Sequence, residues 1–192
     1  MSSITNFDLV IKALLDDGTE ISTMMWGHAQ RVLPDYMRSL VSNAGSKTVV
    51  AIKFPEGVIT VCQPPVDAFD ENFFLIKDFF PRVRAVHLPS TLERLDVRLF
   101  SGCKDLRDIN IPARIKKIPE SCFVFCKKLR HIDLPSNLEG IGEGAFAESG
   151  LEAIKIPAKV KKIGTTAFLS CTNLERVIFA DARTCELRLI KW

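Results

Sequence analysis

Six cysteines, three histidines and two pairs of adjacent carboxylates are the groups in this 192-residue chain with chemistry to offer. The cysteines are Cys62, Cys103, Cys122, Cys126, Cys171 and Cys185. The even count invites a disulfide reading, but a chain with no visible secretion signal and ample apolar residues needs no such staples. Cys122 and Cys126 form a C-x3-C pair, half of a zinc site. A structural zinc needs two further ligands of the same kind, and no histidine or second close cysteine pair supplies them. The carboxylate pairs, Asp16-Asp17 and Asp70-Glu71, fit a turn and a solvated face. A nucleophile–base set requires groups within hydrogen-bond reach, and no such convergence follows from His28, His87 and His131. Phosphate-cradling glycine loops, zinc-protease signatures and kinase signatures do not occur. The chain is therefore expected not to be an enzyme, with no cofactor and no metal.

The elements that position these groups explain most of them. Pro89, Pro112, Pro135 and Pro157 are separated by 23, 23 and 22 residues. Eleven residues after each stands Phe100, Phe123, Phe146 or Phe168, and three further on Cys103, Cys126, Ser149 or Cys171. A fixed period of this length marks one structural unit stacked on itself. Three of the cysteines thus recur once per coil, as small buried hydrophobes of a core ladder. Each unit opens with apolar residues at alternating positions, such as Ile109 and Ile111 or Ile132 and Leu134, which is a short strand. Proline removes a ladder donor and ends it. A second apolar step follows, as in Ile115 with Ile118, then a turn that contains Gly142 or Gly164, then the phenylalanine that plugs the interior. One coil cannot bury its own apolar side, so the coils stack, each strand pairing in parallel with its equivalent in the next.

The run L-x-x-I-x-I-P-x-x-V-x-x-I-G-x-x-A-F-x-x-C, nearly intact at 151–171, resembles the BspA-like class of leucine-rich repeat. The resemblance covers roughly 49–179. It implies a β-rich leucine-rich-repeat solenoid, a parallel β-sheet of stacked ~23-residue coils that works by binding. Many relatives are surface or adhesive proteins of microbes, and others are intracellular. This chain differs from the secreted relatives in showing no leader, and it is short for an adhesive array.

Residues 1–48 lack the period and are expected to form a small N-terminal α/β cap. Asp17-Gly18 marks a β-hairpin turn, although Phe7, Val10, Ile11, Leu14 and Leu15 also stand at helical spacing. Pro34 reads as the first residue of a helix and Gly45 as lying just past its end. The apolar face of that helix is Tyr36 or Met37, Leu40 and Val41. Residues 49–179 hold the repeats, with an insertion at 62–82, and 180–192 a C-terminal cap. Within the insertion, Asp67-Ala68-Phe69 resembles the plug of later coils, with about three extra residues before it and eight after. A helix there sets Phe69, Phe73, Ile76 and Phe80 on one side. Its rings either pack on the solenoid or leave Phe73 and Phe74 exposed as a partner's anchor.

The charges complete the reading. Net charge is +3 and the pI about 8.5, too mildly basic to imply nucleic acid alone. No secretory signal or membrane span is visible, so a cytoplasmic location is expected. Arg84, Arg107 and Arg130 stack one per coil, with Asp108 and Asp133 as expected local partners. Beside them the outward strand positions carry His87, Asp108, His131, Asp133 and Lys155. These residues are expected to bind a protein partner. A second basic stripe, from Arg94 and Arg114 to Lys161 and Lys162, supports the alternative: a constitutive subunit of a large assembly, with this face toward RNA or a neighbouring subunit.

Overall fold

A computed structural model describes residues 10–25, 31–32, 34–61 and 75–180. Phe69, Phe73, Phe74, His28, Cys62, Cys185 and the tail after 180 lie outside the described residues. The repeats form the expected β-solenoid of parallel coils, preceded by a small α/β region. Strands β1 (Val10–Leu15) and β2 (Glu20–Met24) are an antiparallel hairpin, followed by β3 (Arg31–Val32) and helix α1 (Pro34–Ala44). Then come β4 (Val49–Lys53), β5 (Thr60–Val61), the single turn α2 (Ile76–Phe79), β6 (Ala85–His87) and β7 (Asp108–Ile109). The later coils add β8 (Lys117–Ile118), β9 (Gly140–Ile141), β10 (Ala153–Ile156), β11 (Lys162–Ile163) and β12 (Arg176–Phe179).

The hairpin follows from alternation: Ile11, Ala13 and Leu15 are buried while Lys12 and Leu14 face out. A helix would have scattered these residues around its axis. At the turn Gly18 adopts a φ of +86°, and Asp17 accepts a hydrogen bond from the Thr19 N–H at 3.0 Å and pairs with Lys47 at 2.6 Å. The Lys47 hydrogen bond, followed by that of Thr19, holds the Asp17 carboxyl down to about 2. A depressed carboxylate contributes stability that is complete above its unfolded value, near 4, and disappears as pH falls through the folded one. Asp17→Asn should therefore flatten the acid limb of stability between about pH 4 and 2. An Asp17 carbon-13 titration with its midpoint near pH 4 would contradict this account.

Pro34 opens α1 and Gly45, at a φ of +60°, follows its end. Met37, Leu40 and Ala44 form its buried face, whereas Val41 is 40% exposed and does not belong to it. The hairpin then extends the solenoid. β1 pairs antiparallel with β4, giving the sheet order β2-β1-β4-β6-β7, in which β4, β6 and β7 run parallel.

That sheet stops short of the continuous ladder expected from the repeat. Residues 130–134 are not assigned to a strand, and β10 pairs in parallel with β12 as a separate ribbon. Within that sheet the β6–β7 pairing ends before Asn110, whose carboxamide accepts from the Leu88 N–H and donates to the Leu88 carbonyl, both at 2.8 Å. The groups that would have continued the backbone pairing are thereby occupied. A second ribbon, β8-β9-β11, runs parallel along the next side of the coils.

The interior is built in columns. The rings of Phe100, Phe123, Phe146 and Phe168 stack with centroids 5.3, 5.4 and 5.6 Å apart and planes within 6°. Around them the backbone pairs from coil to coil: Phe100 N–H donates to Cys122 O, Phe123 N–H to Ala145 O, and Phe146 N–H to Ala167 O. By the same pattern Ile76 N–H donates to Leu99 O at 3.1 Å. Ile76, fully buried, is therefore the plug of the first coil, in place of Phe69. From Pro55 to Ile76 is 21 residues instead of 11, so ten of the eleven extra residues precede the plug. α2 buries Ile76 and is followed by buried Phe80, with Phe79 packed against the core.

Candidate partner-binding site

Strand alternation sends every second residue of β4, β6 and β7 outward, and the registers set these residues side by side. Ala51, Ala85 and Asp108 form one outward row, and Lys53 and His87 begin the next. On the other side of β4 the antiparallel register places Lys12 opposite Lys53 and Leu14 opposite Ala51. Together these rows floor an open concavity of about 1090 Å³. It reaches from Lys12, Leu14 and Glu20 on the hairpin, across β4, β6 and β7, to Arg130, His131 and Asp133.

The sequence-predicted residues divide clearly. His87, Arg107, Asp108, Arg130, His131 and Asp133 all line the concavity and are exposed. Arg84 and Lys155 are exposed but outside the lining. Phe73 and Phe74 lie outside the described residues. The residues missed by sequence reasoning belong to the hairpin and first coil: Lys12, Leu14, Glu20, Ala51, Lys53 and Ala85. Lys53 stands one period and an insertion ahead of His87, in the stretch VVAIKFP, which has the same opening as the later coils. No periodic signal pointed to Lys12, because antiparallel addition of a hairpin leaves no mark in the repeat.

The arginine column is paired differently from the expectation. Arg130 meets Glu152 at 3.0 Å, with His131 Nε2 at 3.8 Å from the same carboxylate, so its partner is neither Asp108 nor Asp133. The reason is the stack itself: Glu152 holds the column position of Arg130 one coil on, and the Glu152 N–H donates to Arg130 O. Such an exposed pair contributes only about 0–1 kcal/mol. Asp105, on the neighbouring turn, takes Lys128 at 2.6 Å and Arg82 at 3.1 Å. The Lys128 hydrogen bond holds its carboxyl below the usual range, with help from Arg82 and Arg84. Among the described residues, Lys12, Lys53, Arg107, Asp108 and Asp133 make no ion pair.

The described cysteines are interior scaffold. Cys103, Cys122, Cys126 and Cys171 are buried and free. Burial pushes the Cys103 thiol up to about 12 and raises Cys122 and Cys126 as well. Two of the thiols donate to the preceding coil: Cys126 Sγ reaches Phe100 O at 3.2 Å and Cys171 Sγ reaches Phe146 O at 2.9 Å. At Cys126 and Cys171 the ladder position therefore serves a hydrogen bond to the preceding coil, while Ser149 Oγ lies 3.4 Å from Cys171 Sγ of the next. The thiolate is the reactive form. Cys103, Cys122 and Cys126 should therefore resist alkylation at pH 8 in the native protein and react completely in denaturant. Peptide mapping that found native labelling at Cys122 or Cys126 would contradict this packing. Among the described residues no group of three His, Cys, Asp or Glu is placed to hold a metal ion.

Comparison with known proteins agrees with this architecture. The profile of the family described as BspA type Leucine rich repeat region (6 copies) matches residues 78–179. A leucine-rich repeat protein from Bacteroides ovatus shares 32% identity over 70% of this chain and 37% of its own, with a TM-score of 0.51. A leucine rich cell surface protein from Faecalibacterium prausnitzii shares 27% identity over 91% of this chain and 38% of its own, with a TM-score of 0.60. A leucine-rich repeat protein from T. pallidum shares 26% identity over 76% of this chain and 65% of its own, with a TM-score of 0.51. The chain thus spans less than two thirds of the length of each. No curated protein matches it. With the family profile covering more than half of its residues, the chain belongs to the BspA-type leucine-rich repeat family.

Proposed function

We propose that this chain is a non-catalytic recognition module that binds a protein partner in the concavity over β1, β4, β6 and β7. Leucine-rich repeats generally mediate protein–protein interaction, because the scaffold is fixed while outward residues vary freely. The observation that carries the reading is the concavity itself, about 1090 Å³, whose lining includes Lys12, Lys53, Arg107, Asp108 and Asp133, none in an ion pair among the described residues. Arg107, Asp108, Arg130, His131, Asp133 and His87 are its recognition residues, with Arg84 and Lys155 at the margins and Phe73 and Phe74 as further anchors. The reading places the protein in the cytoplasm, where Cys103, Cys122, Cys126 and Cys171 stay reduced. No helix among the described residues is long and apolar enough to cross a membrane.

One observation favours the alternative of an assembly subunit with a basic face. In the β8-β9-β11 ribbon, Lys117 and Lys162 flank Gly140 in register, and neither makes an ion pair among the described residues. Their neighbours differ: Lys116 is held by Glu139 at 3.2 Å and Arg114 by Glu93 at 3.3 Å. One capture experiment separates the two. Under the recognition reading, Arg107→Glu with Asp108→Lys abolishes partner capture, while Lys117→Glu with Lys162→Glu leaves it intact. Under the assembly reading the effects reverse, and nuclease or high salt releases the complex.

A further inference from the structure

The concavity has an order of charge along its length, and that order restricts what can occupy it. At the hairpin end Lys12 and Lys53 are Cα partners across the β1–β4 ladder, and both are exposed. Like charges directly opposite on one face repel. His87 stands beside Lys53 in the parallel register of β4 and β6. The nearby carboxylate of Glu56 is committed elsewhere, with Oε1 on the Ser90 N–H at 3.1 Å and Oε2 on its hydroxyl at 2.8 Å. At the far end Asp108 and Asp133 are exposed and make no ion pair among the described residues; of the cations beside them, Arg130 and Lys128 are taken by Glu152 and Asp105, which leaves Arg107 as one cation against two carboxylates. Beside the row of Lys53 and His87, two residues back along β4 and β6, lies the small apolar floor of Ala51 and Ala85, which leads to Asp108.

On the reading that this face binds protein, we propose that it selects an extended partner segment with a carboxylate at one end and a cation four residues away. The carboxylate sits among Lys12, Lys53 and His87, where it relieves the lysine–lysine repulsion. The cation sits at Asp108 and Asp133. Geometry sets the spacing. From Lys53 to Asp133 is three coil steps, two within the sheet and one beyond its edge; at roughly 4.8 Å each they make about 14 Å, and four residues of extended chain span about 13 Å. Residues one, three and five of such a segment share a face, so both charges and the middle side chain can meet the floor together. Electrostatic complementarity of this kind fixes register and rejects wrong partners more than it adds affinity.

The test uses the full chain, nitrogen-15 labelled, titrated with acetyl-Glu-Thr-Val-Thr-Lys-amide and with its neutral counterpart bearing glutamine at both ends. The charged peptide should shift amides of β4, β6 and 131–133, and bind at least about tenfold more tightly than the neutral one. Lys12→Met with Lys53→Met should weaken the charged peptide by about tenfold and leave the neutral one unchanged. The same substitutions should raise the melting temperature, because they remove a repulsion, which also reports that the variant is folded. Equal binding of the two peptides, or unchanged binding by the lysine variant, would overturn the proposal. Either result would leave the recognition module standing, since capture of a protein by Arg107 and Asp108 does not require this order of charge.

Discussion

Replacing Phe123 by alanine is expected to cost about 4 kcal/mol of stability, the upper range for emptying a buried aromatic site. Phe123 is fully buried, and its ring has a parallel neighbour on each side, Phe100 at 5.3 Å and Phe146 at 5.4 Å. Alanine would remove two ring contacts, each worth roughly 0.5–1.5 kcal/mol beyond burial. The cavity left behind cannot close easily, because the coil backbones on both sides are pinned by Phe100 N–H to Cys122 O and Phe123 N–H to Ala145 O. Phe168 is the internal control. It is only half-buried and has one stacked neighbour among the described residues, at 5.6 Å. Phe168→Ala should therefore cost about half as much. Urea unfolding of the two variants decides the point, and equal losses would mean that the ring column is not the core of the stack.

Gly164→Ala is expected to cost about 3 kcal/mol or more, for the opposite reason: there is no room to add an atom. A Cβ on Gly164 would lie 2.3 Å from Glu143 N and 2.5 Å from Gly142 C. Gly142 meets the previous coil in the same way, 2.6 Å from Glu120 N. These are backbone atoms, so no side chain can swing aside, and the coils would have to separate locally. Gly164 N–H also donates to Ile141 O at 2.8 Å, a bond that separation would stretch. For a chain of this size the melting temperature should fall by roughly 6–12 °C. Gly140→Ala is the matched control. Its added Cβ would meet Lys162 O at 3.6 Å, ordinary van der Waals distance, and its melting temperature should hardly change. If the two variants melted alike, the close approach at Gly164 would not be a constraint on stacking.

What could be read from the sequence was whatever repeats. Proline, phenylalanine and cysteine recur because each coil must bury the same side against the next, and this made columns, parallel direction and plug positions legible. The first plug was not legible. Phe69 copies the residue type, but Ile76 makes the coil-to-coil hydrogen bond, and residue type alone does not report a backbone partner. The hairpin turn at Asp17-Gly18 was readable from local chemistry, whereas its antiparallel attachment to β4 is a long-range pairing with no local mark. That attachment supplies Lys12 and Leu14 to the concavity, so one end of the candidate site was hidden with it. The pairing of Arg130 was misread for a related reason. Neighbours along the strand suggested Asp108 and Asp133, while stacking brought Glu152 from the next coil within 3.0 Å.

The most direct test of the recognition reading is site-specific crosslinking in the native source. A photo-crosslinking residue is placed in turn at position 85 on the floor of the concavity, at 162 on the basic ribbon and at 169 on the exposed side of the plug turn. The account predicts that position 85 traps one protein partner and that 162 and 169 do not. Crosslinks to protein or RNA at 162 or 169, with none at 85, would contradict it.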